Sequence, residues 1–119
     1  MLSLILIIIS LLKENVDADG HMINPLSLET HGPVGHNVTL SCNYSGRVHT
    51  LQWFRQYPGS RIEFLIFATE LNDQSNAALR ISNVVDKQKS MSLSIFHAEI
   101  QDSATYYCAL ETTVMRNIE

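Results

Sequence analysis

The chain reads as an all-β protein, a sandwich of two sheets with one possible disulfide, and three observations carry that reading. Apolar residues mostly alternate with polar ones, the period of a half-buried strand, and turn-forming residues interrupt them at short intervals. Only two cysteines occur, Cys42 and Cys108, so a single intramolecular bridge is possible. No apolar stripe at helical spacing, internal repeat or low-complexity segment is present.

From the N-terminus, residues Leu2 to Leu12 form a run of Leu, Ile and Ser. It is too short to cross a bilayer as a helix and has the length of a signal-peptide apolar core. No Lys or Arg precedes it, while Lys13, Glu14 and Asp17 follow. Cleavage is expected near Ala18 to Gly20, giving a signal peptide over 1–19; the alternative is a hydrophobic strand of the mature protein. Secretion places the chain in an oxidising compartment, which favours a Cys42–Cys108 bridge over two free buried thiols. The two residues stand 66 apart, and closing so long a loop is worth about 4 kcal/mol in the chain-entropy model.

The residues left after 1–19 suffice for one domain. Val38, Leu40 and Cys42 share one strand face, Leu51 and Trp53 a second, and Met91, Leu93 and Ile95 a third; these are the expected inward residues of a two-sheet core. Pro58-Gly59 marks a turn, and Asn72-Asp73-Gln74-Ser75-Asn76 reads as a polar loop. Eight basic against 12 acidic residues leave a formal charge of −4 with no basic cluster, which argues against an electrostatic nucleic-acid binder.

Trp53 follows Cys42 by eleven residues, and Tyr106 precedes Cys108 by two within Asp102-Ser103-Ala104-Thr105-Tyr106-Tyr107-Cys108. That order is the Cys…Trp…Cys pattern of an immunoglobulin-type sandwich. From about Gly20 to Leu110 the chain resembles a variable-type domain, and Trp53-Phe54-Arg55-Gln56-Tyr57-Pro58-Gly59 narrows the resemblance to T-cell receptor alpha or delta chains. The resemblance implies an immunoglobulin domain over 20–111 with an inter-sheet disulfide. It implies a buried Tyr106 whose hydroxyl is tied to backbone. It also pairs Arg80, on the strand expected after the polar loop, with Asp102; the alternative is two solvated charges worth at most about 1 kcal/mol.

Phe54, Gln56, Phe64 and Tyr107 have the opposite parity to the inward residues, so they belong on the outer face of the Trp53 and Cys108 strands. A contiguous apolar patch there marks an interface, unless the aromatics merely sit singly. The resemblance implies packing against a second receptor chain's variable domain, beta- or gamma-type, with Gln56 hydrogen-bonded across the pseudo-dyad. Loops at one end are expected near 45–50, 68–74 and from 109 onward. They offer Arg47 and His49, then Glu70, Asn72 and Asp73, then Leu110 and Glu111, as contacts for a peptide on a histocompatibility molecule or simply as solvated residues.

A complete variable domain of that type ends on a joining strand with Phe-Gly-x-Gly, and none follows Cys108. The last strand is therefore expected to be missing and the Cys108 strand to have a bare edge. Codons for Thr112-Thr113-Val114 can spell a recombination-signal heptamer, so the tail over 112–119 reads as germline read-through. Asn37-Val38-Thr39 and Asn43-Tyr44-Ser45 are glycosylation sequons with outward-facing Asn37 and Asn43. His21, His31, His36, His49 and His97 are scattered, and no nucleophile elbow, phosphate loop or metal-ligand set occurs. No catalysis, metal or cofactor is expected. The function expected is antigen recognition at the cell surface after passage through the secretory pathway, with signalling chains engaged through parts absent here. The alternative is an innate or adhesion receptor domain that pairs with itself.

Overall fold

The structure, a computed structural model, describes residues 4–11, 22–27, 29–86 and 88–112, with side chains over 23–27, 29–86 and 88–111. The expected cleavage region and the tail beyond 112 lie outside the described residues. Ten strands occur among them: β1 (Leu4–Leu11), β2 (Met22–Pro25), β3 (Glu29–Pro33), β4 (Val38–Ser45), β5 (Val48–Gln56), β6 (Glu63–Ala68), β7 (Gln74–Asn76), β8 (Ile81–Asp86), β9 (Ser90–Ile95) and β10 (Ala104–Thr112). They form two five-stranded sheets, ordered β3-β1-β10-β5-β6 and β2-β4-β9-β8-β7.

Strict alternation builds the core. Along β4, Val38, Leu40, Cys42 and Tyr44 are buried, and in β9 their cross-strand partners Ile95, Leu93 and Met91 are buried as well. The intervening residues of β4, Thr39, Ser41 and Asn43, lie opposite Ser94, Ser92 and Ser90. Two of these pairs join by hydroxyl hydrogen bonds, Ser41 to Ser92 at 2.8 Å and Thr39 to Ser94 at 3.3 Å. Cys42 in one sheet is bonded to Cys108 in the other, and Trp53, fully buried, lies opposite Cys108 in the β5–β10 ladder. Gly32 of β3 packs so closely on β4 that a Cβ there would lie 2.9 Å from Val38 Cγ2.

The first expected loop is shorter than the sequence suggests. Because β4 runs to Ser45 and β5 starts at Val48, only Gly46 and Arg47 remain between them. Gly46 has φ 92°, a left-handed backbone that glycine adopts freely, in the two-residue link that carries the chain from one sheet to the other. His49 and Thr50 consequently sit on β5, with His49 exposed and Thr50 buried.

The polar stretch Asn72 to Asn76 is not all loop either, since Gln74–Asn76 pairs with β8. Asn76 Oδ1 then accepts from the Leu79 N–H and caps a 3₁₀ turn over Ala77–Leu79. Arg80 closes that turn at φ 59° instead of lying on a strand, and its N–H donates to the Ala77 carbonyl.

No joining strand follows β10 among the described residues, yet its edge is not bare. The apolar strand β1 runs along it in the parallel sense, from Ile7 opposite Ala104 to Leu11 opposite Cys108, and pairs antiparallel with β3 on its other side. An unpaired edge and an unpaired strand satisfy each other's backbone groups, which is the physical reason such edges are sticky.

Candidate functional site

Phe54, Phe64, Gln56 and Tyr107 come together on the outer face of β5, β6 and β10, as their parity requires. The Phe54 and Phe64 rings meet edge to face, centroids 5.5 Å apart, and Phe64 is 53% exposed. The Tyr107 hydroxyl donates to Gln56 Oε1 at 2.7 Å, and Gln56 Nε2 donates to the Ser60 carbonyl at 3.0 Å. Each end of the Gln56 amide thus makes one bond within the chain, which orients it and leaves one N–H and one lone pair for a bond across a dyad.

Phe67 belongs to the same face, 43% exposed, and parity counting misses it. The β5–β6 register shifts between Trp53 and Phe54, so that Trp53 opposes Ile66 while Phe54 opposes Phe64. This irregularity buries Leu65 and Ile66 in succession and returns Phe67 to the outside. With His49, Thr50, Gln52, Phe64 and Glu111 it lines a shallow groove running towards the end loops.

At that end the structure separates exposed residues from braces. Arg47, His49 and Asn72 are exposed, and so is Leu71, the loop-tip residue at 90% that the sequence reading passes over. Glu70 is a brace: its Oε2 accepts from the Tyr44 hydroxyl at 2.6 Å and from Lys89 Nζ at 3.0 Å. Lys89 Nζ also donates to the Gly46 carbonyl and sits over the Tyr44 ring. One ammonium therefore ties together the link after β4, the 69–73 loop and the turn before β9. The Glu70 carboxyl is held below its ordinary range, chiefly by the bond from Tyr44, with burial opposing and Lys89 assisting. Burial first, and the Glu70 bond second, push the Tyr44 phenol well above its ordinary range.

Asp73 is a second brace, its Oδ1 accepting from the Val85 N–H at 2.9 Å. Leu110 and Glu111 are strand residues, because β10 continues to Thr112. Leu110 packs against the core, whereas Glu111 is exposed and accepts from the Thr50 hydroxyl at 2.9 Å.

The start of β10 is locked by polar bonds. The buried Tyr106 hydroxyl donates to the Asp102 carbonyl at 2.7 Å, and burial drives its phenol well above the ordinary range. Arg80 Nη2 reaches both Asp102 carboxylate oxygens, at 3.2 and 3.1 Å, while Nη1 donates to the Phe96 and His97 carbonyls. Asp102 Oδ2 also accepts from the Glu99 N–H. The expected Arg80–Asp102 pair is present, with Asp102 only 5% exposed.

Among the described residues no group of three His, Cys, Asp or Glu converges on a metal position. Compared with known proteins, residues 26–119 match the immunoglobulin V-set domain family. Human T cell receptor alpha variable 22 is 36% identical over 77 residues, 65% of this chain and 68% of that protein. Human T cell receptor alpha variable 39 is 36% identical over 89 residues, 74% and 78% of the two chains. Human T cell receptor alpha variable 9-2 is 27% identical over 111 residues, 92% and 94% of the two.

Proposed function

This chain belongs to the immunoglobulin V-set family, with T cell receptor alpha variable segments as relatives, and on that premise we propose that it is the antigen-recognition segment of an alpha-type receptor chain. The family is one of binding domains and not of enzymes. In this reading the outer face of β5, β6 and β10 pairs with a second variable domain, and the end loops meet a peptide displayed on a histocompatibility molecule. Residues 1–19 are removed on secretion, and the domain reaches the cell surface as part of a longer chain.

The observation that carries the reading is the aromatic face itself. Phe64 and Phe67 hold large apolar surface in water beside the Phe54 ring, which a partner would cover to advantage. A carboxylate placed there stays solvated in the monomer and is desolvated without a partner on pairing, which costs several kcal/mol. Phe64→Asp should therefore leave the fold intact and abolish co-assembly with a beta-type variable domain, read by co-secretion and light scattering. Wild-type assembly by this variant overturns the assignment. If the wild-type chain forms homodimers through this face and ignores a beta-type partner, the self-pairing receptor reading replaces it.

A further inference from the structure

The outer face of the second sheet differs in character from the aromatic face of the first. Across β4 and β9 it carries Thr39, Ser41 and Asn43 against Ser94, Ser92 and Ser90, two of the pairs already joined hydroxyl to hydroxyl. Together they form a neutral polar stripe with no aromatic group, and the neighbouring β8 adds exposed Val84 opposite Ser92 and Asp86 opposite Ser90. Both sequons of the chain fall beside or within this surface.

Asn37 stands exposed just before β4, and Asn43 is exposed within β4 on the face opposite buried Cys42 and Tyr44. The Asn37 side chain is oriented by its oxygen, Oδ1 accepting from the His97 N–H at 3.1 Å. That contact occupies the acceptor and not the nitrogen, the atom to which a sugar is joined. Six residues of extended chain separate the two asparagines by roughly 20 Å, room for two oligosaccharides side by side. Neither asparagine lies among the aromatic residues of the first sheet or in the 69–73 loop.

We propose that Asn37 and Asn43 both carry N-linked oligosaccharides, which cover the outer face of the second sheet and leave the aromatic face as the surface open to association. The donor is a lipid-linked oligosaccharyl diphosphate. The side-chain amide nitrogen forms a bond to the anomeric carbon as the bond from that carbon to the diphosphate oxygen breaks. The lipid diphosphate leaves with the electron pair, and the proton displaced from nitrogen passes to a base of the transferring enzyme. No oxidant or reductant takes part. The proposal rests on the secretory part of the proposed function, since the donor lies inside that pathway.

The test is translation of the full chain with microsomes, followed by peptide-N-glycosidase digestion in ¹⁸O-water and peptide mass analysis. Two electrophoretic increments are expected, with labelled Asp at positions 37 and 43. Asn37→Gln and Asn43→Gln should each remove one increment. Thr39→Ala and Ser45→Ala, which keep the asparagine and break the sequon, should remove the same increments, and Thr39→Ser and Ser45→Thr, which conserve both hydroxyl and sequon, should keep them. A missing increment at either position overturns the proposal for that position. Protease protection identifies where a failure lies: an unmodified chain shielded inside the microsomes overturns the glycan assignment alone, and an unmodified chain left outside overturns the secretory reading with it.

Discussion

Trp53 Nε1 donates a hydrogen bond to Asn83 Oδ1 at 3.2 Å inside the sandwich, where both residues are fully buried. The other end of the Asn83 amide donates to the Leu51 carbonyl at 3.1 Å, so one side chain on β8 satisfies two buried groups of β5 in the opposite sheet. An indole N–H and a strand carbonyl removed from water without partners would each cost about 1 to 3 kcal/mol. Asn83→Leu should accordingly destabilise the domain by at least about 2 kcal/mol, measured as a lower urea midpoint with an unchanged slope. An unchanged midpoint would show that the pair contributes nothing net.

The disulfide acts on the other side of the equilibrium, by restricting the unfolded chain. Cys42→Ala combined with Cys108→Ala should cost about 4 kcal/mol, a large share of the roughly 5 to 15 kcal/mol that holds a domain together. Secretion yield and thermal melting of the double variant read this directly. Intact-mass measurement of the folded wild-type chain should show no free thiol.

What was legible in the sequence is what depends on local alternation. Val38, Leu40, Cys42, Met91, Leu93 and Ile95 follow a period of two through regular ladders, and all are buried. Residues whose roles arise from long-range pairing or from a break in the ladder were not legible. Asn83 looks like any polar strand residue until Trp53 is placed opposite it. Phe67 changes face only because of the irregularity at Trp53/Phe54. Glu70 looks like a solvated loop charge until Tyr44 and Lys89, from two other elements, converge on it.

Asp102 accepts bonds from Arg80 and the Glu99 N–H while its carbonyl holds Tyr106, so its loss should loosen the start of β10 as a unit. Asp102→Ala is expected to cost about 2 kcal/mol, since it removes both carboxylate bonds from Arg80 and the acceptor of the Glu99 N–H, while Arg80 keeps its two carbonyl bonds and a Glu99 carboxylate at 3.8 Å. Arg80→Lys keeps the charge but cannot hold both carboxylate oxygens and two carbonyls together. It should fall between wild type and Asp102→Ala in denaturant titrations. Equal stability of all three proteins would reduce the pair to solvated charges.

Glu70 predicts a pH dependence. Its folded pKa lies below the unfolded value, so its contribution is complete above the ordinary carboxylate range, about pH 4.3, and is lost as pH falls through the folded value. Glu70→Gln should therefore melt below wild type near neutrality, and the gap should close in acid. Hydrogen exchange of Gly46, Arg47 and the 69–73 loop should quicken over the same acid range in the wild-type chain only. A melting difference independent of pH would mean that Glu70 acts through packing and not through its charge.

The pairing of β1 with β10 predicts the behaviour of the shortened chain. Removing residues 1–19 takes away the strand that lines β10 from Ala104 to Cys108 and that also joins β3 to the sheet. Backbone donors and acceptors on both neighbours are then exposed, and an exposed edge beside an apolar core recruits strands from other molecules. The 20–119 chain should be poorly soluble or form edge-paired assemblies in sedimentation. Adding a joining strand with a Phe-Gly-x-Gly core after Glu111 should restore a monodisperse species with a raised melting temperature, because it fills the position that β1 occupies. If the 20–119 chain is already a stable monomer, and the added strand changes neither its solubility nor its melting temperature, then the β10 edge is protected by some element other than a joining strand, and the reading of the chain as a segment awaiting one is wrong.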